Sequence, residues 1–330
     1  MDGNYLKGKK VLVTGAGGFI ASHLAEALVH FGADVRALVH YNALGRSGWL
    51  DSSPEKSRME ISAGDITDRD CMLEFMRDRE IVFHLASLIA IPYSYRAPGS
   101  YVRTNIGGTL NIMQAARELG NVKIIHTSTS EVYGSAQYVP IDEKHPLVGQ
   151  SPYSASKIGA DKIVESFHLS FGVPVVTVRP FNTFGPRQSQ RAVIPTIIVQ
   201  CLQGNEVYLG ATSPTRDLNY VDNTVDGFIQ AAVTEKAIGK TINLGSSREI
   251  SIGNLAELIG KLMGRDIRII SEDLRKRPED SEVSRLLADA SLAKELLGWE
   301  PKLSLEEGLE KTIEWIKENQ KVYFGNEYII

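Results

Sequence analysis

"KKVLVTGAGGFIA", residues 9–21, decides the fold. KKVLVTG (9–15) is short, apolar and closed by a glycine, the pattern of a buried strand. From residue 19 to 31 the period changes, and Ile20, Leu24, Ala27, Leu28 and Phe31 fall on one helical face. Between the two, TGAGGFIA (14–21) sets Gly15 and Gly18 where the chain turns from strand into helix. Glycine there lets the backbone approach a pyrophosphate at a helix N-terminus. A glycine pattern alone is weak. The strand–turn–helix context makes a dinucleotide site the reading, against a tight turn with no ligand. Ala21 stands where the strict pattern has its last glycine, at a position that serves helix–strand packing.

The same alternation continues downstream. DVRALVH (34–40) and MEISAGD (59–65) read as strands, followed by a helix over about 68–78. IVFHLAS (81–87) is a further strand, and a helix over 107–119 leads to the apolar run Val122 to Ile125. A helix over 153–171 precedes VPVVTVRP (173–180). Repeated βα units predict an α/β fold with a doubly wound, parallel Rossmann-type sheet. After Arg179 glycine, proline and asparagine become frequent (PFNTFGPRQ), and only 254–263 and 303–318 read as amphipathic helices. The expected division is a cofactor-binding domain of residues 1–178 plus roughly 218–250, and a smaller C-terminal substrate-binding domain of 179–217 and 251–330.

The chain has 330 residues, 43% hydrophobic and 23% charged, with a net charge of −4. That is ordinary for a globular protein. No Lys/Arg-rich run suggests nucleic acid, and no apolar run approaches membrane-spanning length. The N-terminus MDGNYLKGKK lacks a signal-peptide pattern. Cys71 and Cys201 match no metal or redox spacing, so a cytoplasmic protein with reduced thiols and no metal is expected.

A dinucleotide site commonly carries an acid at the end of its second strand, for the adenosine ribose. Here that end reads Leu38-Val39-His40-Tyr41-Asn42, without a carboxylate. A 2′-phosphate is not repelled, and His40 or Arg46 can contact it, which favours NADP over NAD. Asp65 is placed for the adenine edge, or for capping the next helix.

YSASK (153–157) sets Tyr153 and Lys157 at i and i+4 on one helical face. A neighbouring ammonium lowers a phenol's pKa. With the glycine loop and the hydroxyls of HTSTSEVYG (126–134), this pair resembles the extended short-chain dehydrogenase/reductase family that acts on nucleotide sugars. The resemblance also runs through AGD (63–65), HLAS (84–87), TNIGGT (104–109), RPFNTFGPR (179–187), TRDLNYVDN (215–223) and RPED (277–280). It implies a catalytic Thr129, Tyr153 and Lys157. It implies cofactor contacts from Gly15, Gly17, Gly18, Phe19, Ile20, His40, Arg46, Asp65, Ile66, Leu85, Ala86, Ser87, Asn105 and Pro180, with Tyr153 and Lys157. For the substrate it implies Ser94, Asn182, Arg191, Val193, Tyr208, Arg216, Arg277 and Asp280. Arg216 and Arg277 match the pair that clamps the diphosphate, a task suited to the guanidinium fork; a salt bridge is the alternative. The family also implies a homodimer through helices 107–119 and 153–171, with Leu110, Met113 and Ala116 facing Ile158, Lys162 and Phe167.

Glu131 sharpens the reading. Epimerases of this family need only the triad and cofactor. The 4,6-dehydratases add a carboxylate, because a ketone at C4 acidifies the C5 proton and a base can remove it. The dTDP-glucose enzymes carry Asp-Glu at this place; this chain has Ser130-Glu131, as the GDP-mannose 4,6-dehydratases do. UDP-glucuronate decarboxylases share Thr-Ser-Glu and are the nearest rival. IAIPYSY (89–95), IDEKHPLVGQSPYSASK (141–157) and the segment 277–301 resemble the UDP- or GDP-N-acetylglucosamine dehydratases of legionaminic-type nonulosonic acid pathways. A related subgroup stops at a 5,6-alkene. The expectation is a nucleotide-sugar 4,6-dehydratase rather than a non-catalytic dinucleotide sensor, which would commonly have lost the Tyr or the Lys.

Overall fold

A computed structural model describes residues 5–275 and 278–323. Its described strands are β1 (Lys10–Thr14), β2 (Asp34–His40), β3 (Glu60–Gly64), β4 (Ile81–His84), β5 (Lys123–Thr127), β6 (Val175–Pro180), β7 (Asn182–Phe184), β8 (Glu206–Leu209), β9 (Thr215–Tyr220), β10 (Thr241–Leu244), β11 (Glu249–Ser251) and β12 (Arg268–Ser271). Seven of them form one sheet in the order β10-β6-β5-β4-β1-β2-β3. Every pairing in it is parallel, with Thr14 of β1 in register with His84 of β4. The chain winds outward in both directions from β1 and β4, so a crevice opens beyond their C-terminal ends. A three-stranded sheet (β11-β9-β7) and a two-stranded one (β12-β8) lie apart from it. β9 straddles the expected boundary at residue 217.

The central strands are buried because both sheet faces are covered. β1, β4, β5 and β6 place their apolar side chains in two clusters, one on each side. The larger cluster runs on through the Val193–Gln203, Val221–Val233, Ile252–Leu262 and Leu305–Glu318 helices, so one core joins sheet and C-terminal part. The first two of these helices were not expected. In VIPTIIVQCLQ the polar face is a narrow stripe of Thr196, Gln200 and Gln203, and Pro195 breaks the pattern near its start, while Asn223 and Gly227 weaken the helical pattern of the second. Gly227 answers to packing: a Cβ there would lie 2.3 Å from Leu244 Cδ1.

Two expected helices differ in detail. The helix expected over 107–119 is an α-helix only from Gly108 to Leu119, preceded by a π-helical turn, Val102–Gly107. The faces expected to form a dimer are largely used inside the single chain. Met113, Ala116 and Phe167 are buried in the core, and Ile158 packs on the cluster of Val132 and Tyr133. Only Lys162 of those six is exposed. No described helix is long and apolar enough to cross a membrane.

Candidate active site

The glycine loop sits at the crevice. Gly15 has φ +71° and approaches β4 so closely that a Cβ would lie 2.9 Å from the Ala86 backbone. Gly18 is the N-cap of the Phe19–His30 helix, with no side-chain cap and no acid in the first turn. The helix N–H groups are therefore left for an external anion, which is the fit a pyrophosphate requires. The Thr14 hydroxyl accepts from the Leu85 and Ala86 amides, at 3.1 Å each, and pairs with His84 Nδ1 at 3.0 Å. His84 Nε2 continues to Thr109 Oγ1 at 3.1 Å. Burial holds His84 neutral. These contacts fix the Leu85–Ala86–Ser87 segment beside the glycine loop. Asn105 fixes its far end: Oδ1 accepts from Leu88 N at 2.8 Å, and Nδ2 donates to Leu88 O at 3.0 Å and to Ser156 Oγ at 2.9 Å. Asn105 lies in the π-helical turn Val102–Gly107, a kind of turn frequent at functional sites.

Around the adenosine end the contacts are sparse. His40 and Arg46 are both exposed. Asn42 closes the turn by accepting from the Arg46 amide at 3.1 Å. Val39 is buried in the core cluster, so the strand's outward end is His40. Asp65 accepts from Thr67 N at 2.8 Å, while the cap of the Arg69–Met76 helix is Asp68. Ile66 is buried, and its carbonyl is held by Asn111.

The reacting groups converge at the end of β5. Thr129 is the N-cap of a 3₁₀ turn, Ser130–Tyr133, and its hydroxyl accepts from Glu131 N at 3.2 Å. Glu131 is only 8% exposed, and Ser130 is buried beside it. Tyr153 and Lys157 come from the Pro152–Phe171 helix, which opens on a Ser151/Ser154 capping box. Burial pushes the Tyr153 phenol up, the Thr129 hydroxyl pulls it down and the Glu131 charge pushes it up again. Tyr153, Thr129 and Glu131 thus lie within reach of one another. Burial lowers Lys157 to about 8, offset in part by Asp161. Its Nζ donates to the Thr127 carbonyl at 2.6 Å. Pro180 closes β6, paired with Leu244.

A cleft of about 560 Å³ is lined by Asn182, Arg191, Val193 and Arg216 from the expected set, and by Tyr95, Arg96, Gln188, Arg275 and Glu282, which the sequence did not single out. Asn182 Oδ1 is buried without a hydrogen-bond partner. Arg216 is buried and donates to Glu282 Oε1 at 3.0 Å. Three expectations fall outside this lining. Ser94 is buried with its hydroxyl on the Ile91 carbonyl, although its neighbours Pro92 and Tyr95 line the cleft. Tyr208 lies on an exposed edge with its hydroxyl on Glu206. Asp280 is exposed, and its carbonyl accepts from Gln150. Arg277 lies outside the described residues. A second cavity, about 390 Å³, opens behind the Pro152–Phe171 helix between β6 and β10 and contains no member of the triad.

Comparison with known proteins agrees with this geometry. The GDP-mannose 4,6 dehydratase family matches residues 12–312. The chain is 33% identical to a UDP-N-acetyl-alpha-D-glucosaminuronate decarboxylase of Bacillus cytotoxicus, over 94% of this chain and 98% of that one. A dTDP-glucose 4,6-dehydratase from Streptomyces venezuelae, solved with NAD bound, superposes with a TM-score of 0.86 at 26% identity, covering 96% of this chain and 99% of that one. A UDP-glucose 4-epimerase from Thermotoga maritima, solved with UDP-glucose, gives 0.86 at 29%, covering 94% and 99%. The chain spans about half the length of the trifunctional Arabidopsis thaliana relatives it also matches, 49% of one and 48% of another.

Proposed function

The chain belongs to the GDP-mannose 4,6-dehydratase family of extended short-chain dehydrogenases, and on that premise we propose that it is a nucleotide-sugar 4,6-dehydratase. The observation that carries this reading is Glu131, buried beside Tyr153 and held by the Thr129 turn. The relatives include dehydratases, decarboxylases and epimerases alike, so the choice rests on the chemistry this carboxylate can do.

The substrate we infer is a UDP- or GDP-activated N-acetylhexosamine. Its diphosphate lies in the cleft along Arg191 and Arg216, with the Asn182 amide beside it. Tyr153, as phenolate, accepts the proton of the C4 hydroxyl. The nearby carboxylate makes that phenolate a stronger base, because it disfavours the charged phenol. Lys157 offsets the phenolate's charge, and Thr129 hydrogen-bonds the C4 oxygen. A nicotinamide cofactor, when bound along the glycine loop, supplies a place to hold the C4 hydride until it is returned at C6. Glu131 removes the C5 proton, acidic beside the C4 ketone, and the C6 hydroxyl leaves as water. Ser130 is too weak an acid to protonate that hydroxyl unaided, so Glu131 returns the proton it took; when the hydride returns to C6, a proton is taken up at C5 and balances the one Tyr153 took from the C4 hydroxyl. At the adenosine end, the lack of a carboxylate after β2 favours NADP.

Incubation with UDP-N-acetylglucosamine and with its GDP analogue, read by NMR, tests the proposal. A 4-keto-6-deoxy product, with a new C6 methyl signal, is expected from one of them. An inverted C4 centre with C6 still hydroxylated overturns it. Decarboxylation is the second reading, favoured by the identity to the Bacillus cytotoxicus enzyme. It predicts carbon dioxide from the corresponding uronate and no reaction of the 6-hydroxy sugar.

A further inference from the structure

Behind the triad lies a buried polar group that the chemistry above does not use. Asp161 is one helical turn beyond Lys157, which is one turn beyond Tyr153, so all three lie on the same face of the Pro152–Phe171 helix. Its Oδ1 accepts from His126 Nε2 at 3.0 Å, and its Oδ2 accepts from Ser128 Oγ at 2.7 Å and Arg179 Nη2 at 2.9 Å. Between His126 and Ser128, the Thr127 carbonyl accepts from Lys157. Successive residues of the β5 end are thus tied to one helix face immediately before Thr129. A carboxylate with three donors is held ionised, and Asp161 is lowered to about 2.

We infer that Asp161 is a positioning residue: it sets the register between the β5 end and the Tyr153 helix, and its buried charge keeps Lys157 protonated. The inference rests on the reading of Tyr153 and Lys157 as the reacting pair, which dehydratase, decarboxylase and epimerase share. Titratable and charged groups surround the ammonium on several elements. Those that act on it are Asp161 on its own helix, His84 on β4 and His126 on β5. Burial lowers both histidines, so near neutrality they add no charge. Asp161 is then the group that stabilises the ammonium, and Arg179, ion-paired with it at 2.9 Å, offsets part of its charge.

The sign follows from linkage. Native Lys157 releases its proton at lower pH than the unfolded chain does. Between the two values the unfolded state binds more protons, so stability rises with pH across that interval. Removing the Asp161 charge lowers the native value further, by about 1 unit or more. The test is urea unfolding of the whole chain across neutral to alkaline pH, for wild type, Asp161→Asn, Arg179→Gln and Lys157→Met. The Lys157→Met variant isolates the part of the pH dependence that belongs to Lys157. In Asp161→Asn that part should begin about 1 pH unit lower; in Arg179→Gln, where Asp161 keeps its charge, it should begin at higher pH. If Asp161→Asn does not fold, Arg179→Gln alone decides. An onset unmoved in every variant that folds overturns the inference, because a purely structural role lowers stability equally at all pH. This readout needs no turnover. A wild type that reduces no cofactor with any nucleotide sugar would sink the functional reading and leave this inference to be judged by unfolding.

Discussion

Two strand ends face the same crevice and are built in opposite ways. At the end of β5, His126, Ser128 and Ser130 are buried, and Asp161, Lys157 and Thr129 hold the chain through successive hydrogen bonds. At the end of β2, His40 is exposed, Tyr41 is 70% exposed, Leu44 is 77% exposed, and a single asparagine closes the turn. Proton transfer needs its groups placed to a fraction of an ångström, so the strand that carries them is over-determined. Choosing between a ribose hydroxyl and a ribose phosphate needs only the right charge at the right distance, and a solvated loop supplies that. Substitutions at β5 should therefore cost rate, and substitutions at β2 should change preference.

The largest expected effect is at Glu131. Glu131→Gln should retain the fold and still oxidise C4, because Tyr153, Lys157 and Thr129 are untouched. Dehydration should fall about 10²–10⁴-fold, the usual loss on removing a general base. Reduced cofactor should then accumulate in a single-turnover absorbance trace. Full dehydration by this variant would break the comparison at its rigid end.

A smaller effect is expected at β2. His40→Asp places a carboxylate where the strand points outward, whereas Val39 is packed in the core and is a poor position for a charge. The preference should move toward NAD by about 10-fold, roughly one charge-assisted contact. Binding titrations with NAD and NADP read it directly. Wild-type protein that already binds NAD more tightly would show that the missing acid does not set the choice.

The smallest effect is at Tyr208, whose ring lies on an exposed edge outside the cleft. Tyr208→Ala should alter stability by less than about 0.5 kcal/mol and leave substrate affinity unchanged. A clear loss of nucleotide-sugar affinity would restore it to the site.

These outcomes bear on what a sequence displays. The parallel strands and the Tyr153–Lys157 face were legible because they rest on local periodicity and i, i+4 spacing. The π-helical turn was not, since it answers to Asn105 meeting Leu88 and Ser156, contacts 17 and 51 residues away. That Val39 is packed and His40 is not does not show in the sequence, because strands covered on both faces lose the alternation that separates inside from outside. Asp161 was in plain view at the next helical turn, but its meaning depends on β5 and β6. Tyr208 is placed in the site only by the family resemblance, and a resemblance of sequence carries no information about which way an edge strand faces.

The central claim is that Glu131 turns an oxidised sugar into a dehydrated one, and the path of one hydrogen tests it most directly. The measurement is turnover of a nucleotide-activated N-acetylglucosamine deuterated at C4, with the label located by NMR. The account predicts deuterium at C6 of a 4-keto-6-deoxy product. Label returned to C4 beside a 5,6-alkene would still require the C5 proton to have been removed by Glu131. Label returned to an inverted C4, with the C6 hydroxyl intact, would contradict the account, because that is epimerisation and gives Glu131 nothing to do.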